Sequence, residues 1–121
     1  MIQGKFDEEG KLLFPIDLVA ADGDVLPVDA LLDTGFTQWI AINTQDAESL
    51  GWVLFEKNRP MLTARGTTNF KVYWGTVIFD GQEFTIPVLA GDAISEILLG
   101  LPWLKNRRLV VEEDAGVLTI E

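Results

Sequence analysis

Ala30-Leu31-Leu32-Asp33-Thr34-Gly35-Phe36 is the stretch that decides how this chain folds. An aspartate directly follows an apolar run with the pattern of a buried strand, and an isolated buried carboxylate is costly. Gly35 permits close backbone approach and an unusual turn. Thr34 between them offers a hydroxyl that bonds locally or across an interface. Taken alone, the tripeptide also fits a plain Asx-turn closing a strand. The rest of the chain has to choose between the two.

Working outward, the patterning is mostly β. Leu12 to Ala20 and Val25 to Leu32 are apolar-rich runs separated by Ala21-Asp22-Gly23-Asp24, whose Asp-Gly predicts a hairpin. Phe36 to Ile42 reads as a third strand. Thr44 reads as the N-cap of a short helix, with Asp46 and Glu48 in its first turn, Leu50 facing inward and Gly51 as its stop. Trp52 to Phe55 resumes as strand. The polar stretch from Arg59-Pro60 to Phe70, centred on Ala64-Arg65-Gly66-Thr67-Thr68, predicts a hairpin with a mobile tip. Lys71 to Phe79 and Gln82 to Leu89 pair around Asp80-Gly81. Ile97-Leu98-Leu99-Gly100 leads into a second short helix, Leu101 to Asn106, with Pro102 in its first turn and basic residues at its end. Leu109 to Val111 and Val117 to Ile120 flank Asp114-Ala115-Gly116. Short strands with turns every eight to twelve residues or so indicate a closed or sandwich-like all-β fold. Leu98-Leu99-Gly100 also echoes Leu31-Leu32-Asp33-Thr34-Gly35, as two structural halves would.

Composition narrows the chemistry. The 121 residues contain no cysteine and no histidine, so nucleophiles that need an imidazole or thiol are excluded. Metal sites built from those ligands are excluded too. An oxygen-ligand cation site stays open, because there are 19 Asp and Glu. Acid–base work falls to carboxylates, with Lys or Tyr73 as outside candidates. The length predicts a single domain spanning 1–121, and the net charge of −10 argues against nucleic-acid or anionic-membrane partners. No apolar run approaches the ~18 residues of a membrane span. Met1-Ile2-Gln3-Gly4-Lys5-Phe6-Asp7-Glu8 turns acidic too soon for a signal peptide, and the missing cysteines fit a reducing compartment, so the expected location is cytoplasmic.

The segment apolar-apolar-Asp33-Thr34-Gly35 resembles the active-site motif of the retropepsin-like aspartic proteases, and the resemblance runs along nearly the whole chain. A hairpin precedes the motif, a flap-like hairpin around Gly66 follows it, and Ile97-Leu98-Leu99-Gly100 leads into a short helix near the C-terminus. The Asp-Thr-Gly-Phe form with a Met-Ile-x-Gly start looks most like the bacterial and archaeal single-domain members. The resemblance implies a closed β-barrel or sandwich with two pseudo-symmetric halves. It also implies a homodimer, because only one Asp-Thr-Gly is present and Gly91-Asp92-Ala93 does not fit as a second. Asp33 would then meet its symmetry mate, and the two carboxyls would share a proton and activate water on a peptide or protein substrate. No metal or cofactor is called for.

The same resemblance implies roles for neighbours. Thr34 would bond across the dimer, and Gly35 would let substrate backbone approach. Arg65, Gly66 and Thr67 would belong to a flap that closes on substrate. Leu98, Leu99 and Gly100 would line subsites beside the catalytic turn. Phe36 and Thr37 depart from the retroviral pattern, which has a small residue and then an aspartate there. Phe36 either narrows a subsite or packs inward, and Thr37 removes a charge, so substrate preference does not transfer.

Other features have plainer readings. Trp39, Trp52, Trp74 and Trp103 fit core or dimer-interface packing. Lys105, Arg107 and Arg108 fit cations closing a helix end. Glu112, Glu113 and Asp114 fit a solvated turn, as do Asp22, Asp24 and Asp80. Two alternatives stand beside the peptidase: a catalytically inactive dimerisation or peptide-binding module of the same fold, and an unrelated small barrel in which Asp33-Thr34-Gly35 is only a turn.

Overall fold

The computed structural model describes residues 1–64 and 66–121. Its strands are β1 (Ile2–Gln3), β2 (Lys5–Phe6), β3 (Leu12–Val19), β4 (Val25–Leu32), β5 (Ile40–Asn43), β6 (Val53–Thr63), β7 (Gly66–Phe79), β8 (Gln82–Gly91), β9 (Leu98–Leu99), β10 (Leu109–Glu112) and β11 (Val117–Ile120). One α-helix, α1 (Thr44–Ser49), and one 3-10 helix (Leu101–Leu104) complete the described elements.

The main sheet runs β2-β3-β4-β9-β5-β8-β7-β6, and β3 also pairs with β7. That extra pairing closes six strands into a barrel, as expected for the fold. Alternation drives the closure. In β3, Phe14, Ile16 and Leu18 point inward, while Pro15 points out to solvent. Phe14, Ile40, Ile42, Val77, Phe79, Val88, Leu99 and Ile120 are fully buried, each large side chain contributing roughly 1.5–3 kcal/mol. A small sheet β1-β11-β10 stands beside the barrel, with Ile2 opposite Ile120 and Leu109 also opposite Ile120. Among the described residues, no helix is long and apolar enough to cross a membrane.

Both Asp-Gly hairpins form. Asp80 and Gly81 adopt positive φ values of 52° and 76°, the geometry a two-residue turn of this kind demands. Asp80 does more than turn the chain: it takes the Met1 terminal ammonium at 3.2 Å and Arg107 at 3.3 Å. That ammonium first, and Arg107 second, hold its carboxyl below the usual aspartate range.

Several boundaries differ from the sequence reading, each for a local reason. The third strand starts at Ile40 rather than Phe36, because the backbone of Phe36 and Trp39 bonds to Leu101 and Gly100 instead of a strand ladder. Asn43, not Thr44, caps α1: its side chain accepts from the Gln45 N–H at 2.9 Å, and Thr44 is buried within the helix. The second helix is a 3-10 turn ending at Leu104, and no basic residue lies in its last turn. Arg107 and Arg108 instead pair with Asp80 and Glu121. Trp74 is not core, being 41% exposed and packed at a tilt against Phe55.

Candidate active site

The two segments that echo each other in sequence lie side by side. β9 is wedged between β4 and β5, with Leu31 opposite Leu98 and Leu32 opposite Leu99 in parallel, and Ile40 opposite Leu99 in antiparallel register. Parallel pairing of a two-residue strand is weak alone, so backbone bonds at both ends reinforce it. The Leu31 N–H donates to the Ile97 carbonyl at 2.8 Å and the Asp33 N–H to the Leu99 carbonyl at 2.9 Å.

Asp33 therefore leaves β4 at a fixed point. Its Oδ1 accepts from the Gly35 N–H at 2.9 Å, and its carbonyl accepts from the Phe36 N–H at 3.1 Å, closing a tight turn. The Phe36 carbonyl then takes the Leu101 N–H at 2.8 Å, and the Trp39 carbonyl takes that of Gly100 at 3.0 Å. Gly100 has no room for anything larger: a Cβ there would stand 1.6 Å from the Gln38 carbonyl oxygen. Behind this turn, Trp103 donates its indole N–H to the Trp39 carbonyl at 2.7 Å and stacks on Phe79 at 4.5 Å.

Within one chain, Asp33, Thr34 and Gly35 are exposed. The Thr34 hydroxyl has no hydrogen-bond partner among the described residues. Thr37 is exposed and borders a shallow apolar surface with Leu101, Pro102 and Leu104. A rigid turn thus presents one carboxylate, one free hydroxyl and adjacent apolar groups outward.

Phe36 resolves its ambiguity by packing against a small cluster. Buried Ala41, Val72 and Leu89 are covered by half-buried Phe36, Met61, Phe70, Ile94 and Leu98. Met61 and Phe70 come from β6 and β7, so the outer part of that long hairpin shares one apolar surface with the neighbours of Asp33. Toward its tip, Leu62 pairs with Thr67 and Thr63 with Gly66, and the Thr63 hydroxyl donates to the Gly66 carbonyl at 2.8 Å. Gly66 and Thr67 are exposed. Arg65 lies outside the described residues.

The predicted residues thus fall into two groups. Asp33 through Thr37 and Leu98 through Gly100 are joined by direct backbone bonds, whereas Gly66 and Thr67 sit on a separate hairpin that meets the first group through Met61 and Phe70. Met61, Phe70 and Ile94 were not picked out by the sequence reading. Their being large apolar residues within an otherwise largely polar hairpin stretch was the available signal for the first two. Among the described residues, no group of three or more Asp or Glu is placed to hold a metal ion.

Scans of this chain against protein-family models and curated proteins return no match. Solved structures do match. A retropepsin-like aspartic protease from Rickettsia conorii aligns with a TM-score of 0.69 at 24% identity, over 99% of this chain and 88% of that one. The EIAV protease complexed with the inhibitor HBY-793 aligns with a TM-score of 0.66 at 19% identity, over 88% of this chain and 98% of that one. The simian foamy virus (mac) protease aligns with a TM-score of 0.51 at 22% identity, over 78% and 99% of the two chains. The fold is that of the retropepsin-like aspartic proteases.

Proposed function

We propose that this chain is an aspartic endopeptidase that works as a homodimer, with Asp33 of each copy forming one catalytic pair. The observation that carries this reading is the Asp33 turn: an exposed carboxylate directly after the buried end of β4, pinned by the Leu99 carbonyl behind it and by the Gly35 N–H in front. Ordinary strand-closing turns need no such wedge of a third strand beneath them.

The chemistry follows from pairing. Two carboxylates within a few Å do not both ionise cheaply, so they hold one proton between them. The aspartic-protease dyad is the standard example of such paired-carboxylate chemistry. The ionised member takes a proton from water, which attacks the scissile carbonyl. The protonated member donates to that carbonyl oxygen and stabilises the tetrahedral intermediate. Thr34, with its unpaired hydroxyl, would bond to the facing copy and keep the two turns rigid. The apolar cluster around Phe36 and Leu98 would receive side chains flanking the scissile bond, while Gly66 and Thr67 at the hairpin tip would close over the substrate. The cysteine-free composition fits a reducing compartment such as the cytoplasm.

The test is a peptide-library digest comparing the wild type with Asp33→Asn, with and without a statine-type inhibitor. Cleavage that needs Asp33 and is blocked by the inhibitor supports the proposal. Equal cleavage by both proteins sinks it, and a dimer that binds peptides without cutting them supports the inactive-module alternative.

A further inference from the structure

Between the flap-like hairpin and the loop that follows β8 lies a groove of about 550 Å3, walled by Thr68, Asn69 and Phe70 on one side and Asp92 and Ile94 on the other. Among the described residues that line it, Asp92 is the only ionisable one. Its carboxylate is exposed and has no cation within ion-pair distance among the described residues, while Lys11, Lys71 and Arg59 all hold other acids.

The loop carrying Asp92 is held in place. The Asn43 side chain, leaving the end of β5, donates to the Asp92 carbonyl at 3.3 Å and to the Ile94 carbonyl at 3.1 Å. The Ile94 N–H closes the loop onto the Gly91 carbonyl at 3.3 Å. Phe70 fills the space at Gly91, where a Cβ would meet the ring at 2.7 Å. Ile94 and Phe70 also belong to the apolar cluster shared with Phe36 and Leu98. A fixed, unpaired negative charge therefore stands at the rim of a surface that is otherwise apolar or neutral.

We infer that Asp92 is a specificity-determining residue: it selects peptides that place a Lys or Arg side chain next to an apolar residue seated in the Phe36–Phe70–Leu98 cluster. The chemistry suits the long basic side chains, whose methylene stems lie along apolar surface while the charged head reaches a carboxylate. In a symmetric pair, each half of the cleft would carry its own Asp92, so the preference would appear on both sides of the scissile bond. The inference rests on the peptidase reading of Asp33 and deepens it.

The experiment measures kcat/KM on synthetic peptides that share one apolar core and carry Lys, Leu or Glu at each flanking position in turn. For the wild type at low salt, Lys over Leu at one position in each half is favoured by roughly two- to fivefold, as an exposed ion pair gives. Asp92→Asn brings that ratio to about one, Asp92→Glu keeps it, and Asp92→Lys turns the preference toward Glu. An unchanged Lys-to-Leu ratio in Asp92→Asn overturns the inference while leaving the peptidase intact. Failure to cleave any of the peptides, or cleavage that survives Asp33→Asn, removes the peptidase reading and this inference with it.

Discussion

Around Asp33, a two-residue strand is clamped between two others, and the backbone of Asp33, Phe36 and Trp39 is tied to Leu99, Leu101 and Gly100. The flap-like hairpin is built the opposite way. Its strands are long, at 11 and 14 residues, but their pairing slips register twice between Leu54 and Arg59, and most of the far end is exposed. Both regions are β ladders with the same hydrogen-bond chemistry. Packing is what separates them. The Asp33 turn rests on Leu99, Trp103 and Phe79, whereas the outer part of the hairpin, beyond buried Val72, has only Met61 and Phe70 among its described apolar residues packed on the neighbouring cluster. Low-stability segments of this kind are the ones that open and close over ligands, and tightly packed turns are the ones that hold reacting groups.

The largest expected effect falls on the packed side. Asp33→Asn keeps the shape of the turn but removes the ionisable group, and peptidase activity is expected to fall by on the order of a thousandfold or more. Thermal melts of that variant should stay close to wild type, since the Gly35 N–H still has an oxygen to meet.

Gly100→Ala comes next. Its Cβ would overlap the Gln38 carbonyl oxygen at 1.6 Å, and neither β9 nor the Phe36–Trp39 segment can shift without losing its bonds. We expect a loss of about 3 kcal/mol or more in denaturant unfolding. Gly66→Ala is the matching change on the hairpin. There the strain comes from a φ of 98° alone, with nothing within 4 Å of the added carbon, so the expected loss is about 1 kcal/mol. If the two losses turn out equal, the contrast between the regions is wrong.

Leu62, 84% exposed near the hairpin tip, sharpens the contrast from the functional side. Leu62→Ser should leave stability within about 0.5 kcal/mol, yet raise KM if the tip folds over bound peptide. A smaller effect concerns acid. Because Asp80 is held below the ordinary aspartate range by the terminal ammonium and Arg107, its stabilising contribution is present above about pH 4 and lost as pH falls through the lowered value. The melting difference between wild type and Asp80→Asn should therefore shrink on acidification below about pH 4. A difference that grows in acid would contradict this sign.

The packed region was also the more legible of the two in sequence. Asp33-Thr34-Gly35 and Leu98-Leu99-Gly100 stand out because buried apolar pairs before a turn leave a local pattern. Their parallel pairing left none, since it joins residues more than sixty positions apart. The Asp-Gly turns were readable because a positive φ, at Gly23 in one and at both Asp80 and Gly81 in the other, restricts residue choice. Phe36 to Trp39 misled the strand reading: these residues are apolar enough for a ladder, but their backbone is spent on Gly100 and Leu101. On the hairpin, sequence located the turn but not the apolar contacts of Met61 and Phe70, which depend on what lies beneath them. Asp92 entered the sequence reading only within Gly91-Asp92-Ala93, which does not fit a second motif, and the role inferred for it comes from the groove around it.

The central claim is that one active site needs two Asp33 carboxyls from two copies. It is tested most directly by mixing wild-type and Asp33→Asn chains at fixed total concentration, allowing exchange, and measuring peptidase activity. Activity should follow the square of the wild-type fraction, so that an equal mixture retains about a quarter of full activity. A decline in simple proportion to the wild-type fraction would show that each chain acts alone and would contradict the shared pair.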